Sequence, residues 1–258
     1  MIEAFVGKGG VGKTTIAAAY SLICAEHGST AIVSTDTMPS LHYIFPENTV
    51  NLDVFEISES EVSKLWKKRY GDQVYDIVSR FFDTGFEIID HIANAPGVAE
   101  EFMISQIVGM GETKKFDYLV WDTPASSSTM HLLYLEKDFY EHLGRDIKFY
   151  FSMKDAFKTN KTLEILNEWR ELSKKVWNEI ENSKFYLVST HDELSLLQSY
   201  EIEEDLKRMG ISVSARIYNR TSQHEGYITI PELQGTAREI VEKAKPFLRK
   251  LFNSTHGK

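Results

Sequence analysis

Gly7-Lys8-Gly9-Gly10-Val11-Gly12-Lys13-Thr14-Thr15 follows an apolar run, Ile2–Val6, and opens a helical pattern, Thr14–His27, that ends at Gly28. Residues 7–14 match G-x-x-x-x-G-K-[ST], and the strand before and helix after supply the context that pattern needs. The glycines let backbone N–H groups converge on a concavity that β-carbons would obstruct. The helix start adds its positive dipole end. Gly9, Gly10, Val11, Gly12, Lys13, Thr14 and Thr15 therefore read as a cradle for the phosphates of ATP. Lys13 is placed to reach the β- and γ-phosphates, and the Thr14 hydroxyl to ligate Mg²⁺.

Outward from this loop, short apolar runs alternate with longer helical patterns. Ala31–Thr35, Leu52–Ile57, Tyr118–Asp122, Lys184–Thr190 and Val213–Tyr218 read as further strands, with Leu52–Ile57 a candidate edge. Helices are expected over 59–92, Ala99–Gly109, 129–182 with a break near 142–160, Leu194–Met209, and Thr236–Phe252 interrupted by Pro246. Strands separated by helices predict an α/β fold with a mainly parallel sheet covered on both faces. The expectation is one ATPase domain over 1–258 with a small helical subdomain at about 134–182. That stretch is set apart by Phe139, Tyr140, Phe149, Tyr150, Phe151, Phe157, Trp169 and Trp177.

Composition narrows the partners. The 258 residues suffice for one α/β domain with a sizeable core, and 42% hydrophobic with 26% charged residues are globular values. A net charge of −9 opposes a nucleic-acid partner. A single cysteine, Cys24, excludes an internal disulfide and a cysteine-ligated zinc site within one chain. Met1–Val6 reads as a strand and not as a signal peptide, and no apolar run approaches the ~20 residues that span a bilayer. A soluble, cytoplasmic protein is expected.

Two acidic residues end strands on the phosphate side, Asp36 in Ser34-Thr35-Asp36 and Asp122 in Tyr118-Leu119-Val120-Trp121-Asp122. Ligands of open α/β sheets sit beyond the carboxyl ends of the strands. Asp122 suits holding Mg²⁺ through water, and Asp36 suits positioning or deprotonating the attacking water. The bland reading of each is a helix-capping or turn aspartate. Lys8, second in the loop, faces away from its own nucleotide. It reads either as a reach toward phosphates bound by a second subunit or as a solvated surface lysine.

Together these pieces resemble the deviant-Walker ATPases of the arsenite-pump and tail-anchored-protein-targeting group. The resemblance rests on residues 7–15 and Ser34-Thr35-Asp36, on Ala95-Pro96-Gly97-Val98, and on Phe116 to Thr123. It continues in Val188-Ser189-Thr190-His191-Asp192-Glu193-Leu194-Ser195 and Tyr218-Asn219-Arg220. It implies a homodimer closing around two ATP molecules, with Lys8 contacting phosphate across the interface. It implies that Asp36 lies in the first switch and drives hydrolysis together with Lys13 and Lys8, and that Asp122 starts the second switch. It also implies that Asn219 recognises adenine while Pro231, within Ile230-Pro231-Glu232, packs on the base. Asn219 read by itself is an ordinary turn residue.

The chain departs from the group in both switches. Asp36-Thr37-Met38-Pro39-Ser40 replaces the usual Asp-Pro-Ala-His-Ser, and Asp122-Thr123-Pro124-Ala125-Ser126-Ser127-Ser128-Thr129-Met130-His131 lacks the usual glycine, histidine and arginine. The zinc-binding and metalloid-binding cysteines are absent, which argues against arsenite handling. The expected activity is a dimeric ATP switch coupled to a protein client, such as a hydrophobic or tail-anchored segment. Phe149, Tyr150, Phe151, Met153 and Phe157 are candidate groove residues, with ordinary core packing as their other reading. The rivals are an ATPase assisting metal-cofactor insertion and a membrane-docked positioning ATPase. For the latter, the run 244–252 supplies a candidate membrane-surface helix, or simply a closing helix packed on the sheet.

Overall fold

The computed structural model describes residues 1–36, 40–46, 49–79, 83–95, 98–138, 160–222 and 228–257. Among these, seven strands form one sheet: β1 (Ile2–Val6), β2 (Thr30–Ser34), β3 (Leu52–Glu56), β4 (Tyr118–Asp122), β5 (Lys184–Thr190), β6 (Val213–Asn219) and β7 (Ile228–Ile230). Their order is β3-β2-β4-β1-β5-β6-β7, and every pairing is parallel. β3 is an edge strand, as its sequence suggests. The helices are α1 (Lys13–Ala25), α2 (Leu41–Ile44), α3 (Glu59–Val78), α4 (Ile88–Ala93), α5 (Val98–Glu112), α6 (126–138), α7 (Asn160–Glu181), α8 (Glu193–Arg208) and α9 (Ala237–His256).

The chain order explains why both faces are covered. From β1 the chain steps through α1 to β2, toward the β3 edge. From β5 it steps through α8 to β6, toward the opposite edge. Parallel crossovers are right-handed, so steps in opposite directions put α1 and α8 on opposite faces. All five residues of β1 are buried, as an interior parallel strand requires.

The described residues gather into two compact units. One comprises Met1–Ile57, Ile107–His131 and Ile180–Lys258 and holds the whole sheet; the other comprises Ser58–Gln106 and Leu132–Glu179 and is helical. In the first, Phe5, Tyr20, Tyr186 and Phe252 form an aromatic nucleus. Phe5 lies 5.4 Å from Tyr20 and 5.1 Å from Tyr186, and Tyr20 lies 6.2 Å from Phe252, centroid to centroid. Burying such side chains stabilises by about 1.5–3 kcal/mol each. Candidate groove residues Phe149, Tyr150, Phe151, Met153 and Phe157 lie outside the described residues, as do Pro96-Gly97 and Thr37-Met38-Pro39.

Four elements differ from the sequence reading. The expected helix over 59–92 is two helices. α3 starts on a capping box in which Ser58 accepts from the Glu61 N–H, and it ends at Val78. Gly85, a poor helix residue, then turns the chain, its carbonyl taking the Ile88 N–H at 3.2 Å before α4. α2 and β7 are too short to carry a periodic signal. Finally, α9 runs straight through Pro246. Pro246 and Glu242, whose carbonyl loses its helical donor, both face solvent. Meanwhile Val241, Ala244, Leu248, Leu251 and Phe252 are buried in the core. That face anchors the helix, so the apolar side of 244–252 is already committed to the sheet domain. No described helix is long and apolar enough to cross a membrane.

Candidate active site

The carboxyl ends of β1, β2 and β4 converge because β4 lies between the other two. β4 pairs Asp122 with Phe5 on one side and with Ser34 on the other. This register brings the phosphate loop, the segment after β2 and Asp122 to one place, although 88 residues separate Ser34 from Asp122.

α1 begins directly after the loop, and its N-cap, Gly12, has φ 93° and makes no side-chain cap bond. By contrast α3, α8 and α9 are capped by Ser58, Asp192 and Thr236. The N-cap thus offers the first-turn N–H groups of α1 no side-chain acceptor, and the helix dipole favours an anion there. Gly12 is required twice over: its φ is left-handed, and a β-carbon there would stand 2.5 Å from Asn219 Nδ2. Gly7 is needed because a β-carbon would collide with the Val188 carbonyl of β5.

Lys13 is 6% exposed. Its Nζ donates to the Lys8 carbonyl across the loop at 3.2 Å. Burial pulls the Lys13 ammonium below its usual value, against the attraction of Asp122 and then Asp36. Asp122 is fully buried. Its Oδ2 accepts from Ser34 Oγ at 3.1 Å, and Thr14 also bonds the carboxylate. Burial pushes Asp122 up to about 6, opposed by the bonds from Thr14 and Ser34 and by Lys13, while Asp36 adds to the rise. Among the described residues Asp122 Oδ1 has no hydrogen-bond partner. A buried carboxylate oxygen left unpaired, beside a threonine hydroxyl and a buried lysine, is what a hydrated cation would complete.

The donor set is oxygen only and so fits a hard cation such as Mg²⁺. Among the described residues no group of three or more His, Cys, Asp or Glu could hold a metal by itself. That also suits Mg²⁺, which takes one or two protein oxygens and draws the rest from phosphates and water.

Asp36 stands half-buried two residues beyond β2, its N–H 3.4 Å from Ser34 Oγ. Thr15 is half-buried on the first turn of α1, and Lys8, also half-buried, lies close enough to Asp192 to help hold that exposed carboxyl below its usual range. The larger causes there are bonds from Thr190 and the Ser195 N–H. Asn219 Nδ2 donates to the Val11 carbonyl at 2.8 Å, and Asn219 Oδ1 accepts from the Arg220 N–H at 3.0 Å. It thus braces the phosphate loop from β6. β7 pairs Asn219 with Ile230, which sets Pro231 beside it.

Sequence reasoning missed Ser34, Glu56 and Thr123. Thr123 Oγ1 donates to the Phe5 carbonyl at 2.7 Å and locks β4 to β1. Glu56 accepts from the Leu41 N–H at 2.7 Å and meets His42 Nδ1 at 3.0 Å, which ties the chain after the first switch to β3. These roles depend on strand order, which a linear reading did not supply.

Comparison with known proteins gives the family. Residues 2–243 match the family model described as anion-transporting ATPase. The chain is 28% identical over 236 residues to a putative arsenical pump-driving ATPase 2 of Aquifex aeolicus, covering 84% of this chain and 78% of that one. It is 26% identical over 255 residues to the ATPase GET3C of Arabidopsis thaliana, covering 83% of this chain and 65% of that one. A putative arsenical pump-driving ATPase of Halobacterium salinarum is 29% identical over 150 residues, but these are only 23% of its length.

Proposed function

The chain belongs to the anion-transporting ATPase family and is an ATPase, and from this premise we propose that it works as a homodimeric switch whose nucleotide state gates capture of a protein client. The observation that carries the nucleotide chemistry is the buried, half-satisfied carboxylate of Asp122 facing Lys13 at the uncapped start of α1. In this reading the N–H groups of residues 9–15 hold the ATP phosphates, and Lys13 leaves the Lys8 carbonyl for the β- and γ-oxygens. Thr14 and Asp122 would hold Mg²⁺, which would neutralise charge building on the phosphates. Asp36 orients the attacking water and accepts its proton. Asn219 and Pro231 form one wall for adenine while Asn219 keeps its bond to Val11.

Lys8 carries the dimer. It is half-exposed within the loop, and in this reading a second copy presents phosphate to it. A hydrophobic or tail-anchored segment is the client chemistry that the family likeness favours, and the cytoplasm is the compartment in which such a chain would work. The test uses Asp36→Asn, expected to slow hydrolysis by about 10²–10⁴-fold and to trap the ATP state. Co-expressed with a tail-anchored segment, the variant should elute on size exclusion as a dimer with client in ATP and lose the client in ADP. A monomer in both nucleotides would overturn the dimeric switch; a dimer that never holds the segment would overturn the client.

A further inference from the structure

The carboxyl end of β2 is fastened to β4 on both faces of the sheet. Ser34 pairs with Asp122 in the β2–β4 register, and its Oγ donates to Asp122 Oδ2 on one face. Successive side chains of a strand point to opposite faces. Trp121, one residue earlier on β4, therefore points to the other face. There its indole Nε1–H donates to Thr35 Oγ1 at 3.0 Å. The Thr35 backbone N–H adds a bond to the Asp122 carbonyl at 3.3 Å.

The indole bond is shielded from water, because Trp121 is fully buried and Thr35 is 5% exposed. An indole N–H donates and does not accept, and a buried donor left without an acceptor forfeits its bonds to water. A phenyl ring at 121 would bring no polar group to satisfy. The indole brings one donor, and it is directed at the residue before Asp36.

Asp36 is bracketed by these contacts. Its N–H lies 3.4 Å from Ser34 Oγ, and its carboxylate is near enough to Lys13 to attract the ammonium. The backbone entering Asp36 is thus held by Ser34 on one side and by Trp121, through Thr35, on the other. A single planar peptide unit joins the α-carbons of Thr35 and Asp36. Fixing Thr35 therefore limits where the Asp36 carboxylate can swing. A misplacement of about 1 Å in a reacting geometry can cost about 10²-fold in rate.

We propose that Trp121 and Thr35 are positioning residues for ATP hydrolysis: the indole holds Thr35, and Thr35 fixes the backbone that aims Asp36 at the attacking water. The inference rests on the proposed role of Asp36. Both residues act through that carboxylate and not on the nucleotide, so their loss slows turnover and spares ATP binding.

The full-length protein is assayed for Mg²⁺-dependent ATP hydrolysis and, by calorimetry, for ATP affinity. Trp121→Phe keeps a ring and removes the donor. It should lower kcat about tenfold while KM and ATP affinity stay within about twofold. Thr35→Val keeps the shape of threonine, removes the acceptor and should behave alike. Thr35→Ser keeps the hydroxyl and should keep near-native kcat. The double variant Trp121→Phe/Thr35→Val should be no slower than either single variant, because all three lack the same bond. If Trp121→Phe does not fold, Thr35→Val against Thr35→Ser decides. Asp36→Asn is assayed alongside. Native kcat in folded Trp121→Phe or Thr35→Val, with Asp36→Asn inactive, overturns the positioning role and leaves Asp36 in place. A fall in ATP affinity that matches the fall in kcat also overturns it. Normal turnover in Asp36→Asn overturns the role of Asp36 and this inference with it.

Discussion

Glu3 and Asp122 are both buried carboxylates on neighbouring strands, at opposite ends of the sheet, and their surroundings differ at each oxygen. Glu3 Oε2 accepts from Tyr20 Oη at 2.7 Å and Tyr186 Oη at 2.6 Å, and Oε1 meets His256 Nε2 at 2.9 Å. Burial alone would raise Glu3, but the bonds from His256, Tyr186 and Tyr20 outweigh it and hold the carboxyl below its usual value. Asp122 receives bonds at one oxygen while Oδ1 stays unpaired, and burial wins. The amino end of the sheet has a charge with its needs met, fastening α1, β5 and α9 to β1. The carboxyl end has a charge whose remaining valence points at chemistry.

The comparison breaks first at Lys13, the cation opposite Asp122. Lys13→Gln should lower ATP turnover at least about a hundredfold, since a preorganised charge in a site of this kind is worth 10²–10³. Steady-state phosphate release measures it. Next is Glu3→Leu, which strands the Tyr20 hydroxyl and leaves Tyr186 Oη only Thr255 Oγ1 at 3.2 Å, and should cost about 2 kcal/mol by urea titration. An unchanged unfolding midpoint would mean that the network at the amino end is idle.

The two carboxylates also respond to pH with opposite signs. Glu3 is lowered from 4.5, so its stabilisation is present above that value and is lost as pH falls through its lower folded value. Asp122 is raised from 3.8 to about 6, so its burial cost grows as pH rises between those values and is complete above them. Protons then compete with Mg²⁺ at Asp122. Below about pH 6 the Mg²⁺ concentration for half-maximal turnover should rise about tenfold per pH unit, read from Mg²⁺ titrations between pH 5 and 7.5. The smallest expected effect is Ser34→Ala, which removes one donor to Asp122. It should cost about 1 kcal/mol and move the midpoint of that pH profile upward.

The loop 7–15 and the aspartates at the end of β4 and just beyond β2 stand out in sequence because their pattern is local: glycines, a lysine and a threonine in fixed spacing. The sheet class was legible because parallel strands buried on both faces read as continuous apolar runs. What escaped is non-local. Glu3, inside the apolar run Ile2–Val6, carries no signal by itself; β5 and α9 bring Tyr186 and His256 to it. Ser34 acquired a role only when β4 came to lie beside β2. Pro246 signals a helix break by itself, and the buried face of α9 overrides it. The aromatic stretch 134–182 drew attention to a helical region, but Tyr70 of α3 and Phe102 of α5, which lie outside that stretch, cluster with its Trp169.

The central claim is the division of labour between the two carboxylates, and paired measurement of Asp122→Asn and Glu3→Gln tests it most directly. Each variant is assayed at pH 7.5 for Mg²⁺-dependent ATP hydrolysis and, without nucleotide, for thermal unfolding. Asp122→Asn should abolish Mg²⁺-dependent turnover while relieving a buried charge worth about 3 kcal/mol, which raises Tm by roughly 6–12 °C. Glu3→Gln should lower Tm and keep the turnover of the folded protein. Normal Mg²⁺-dependent hydrolysis in Asp122→Asn, or its loss in folded Glu3→Gln, would contradict the account.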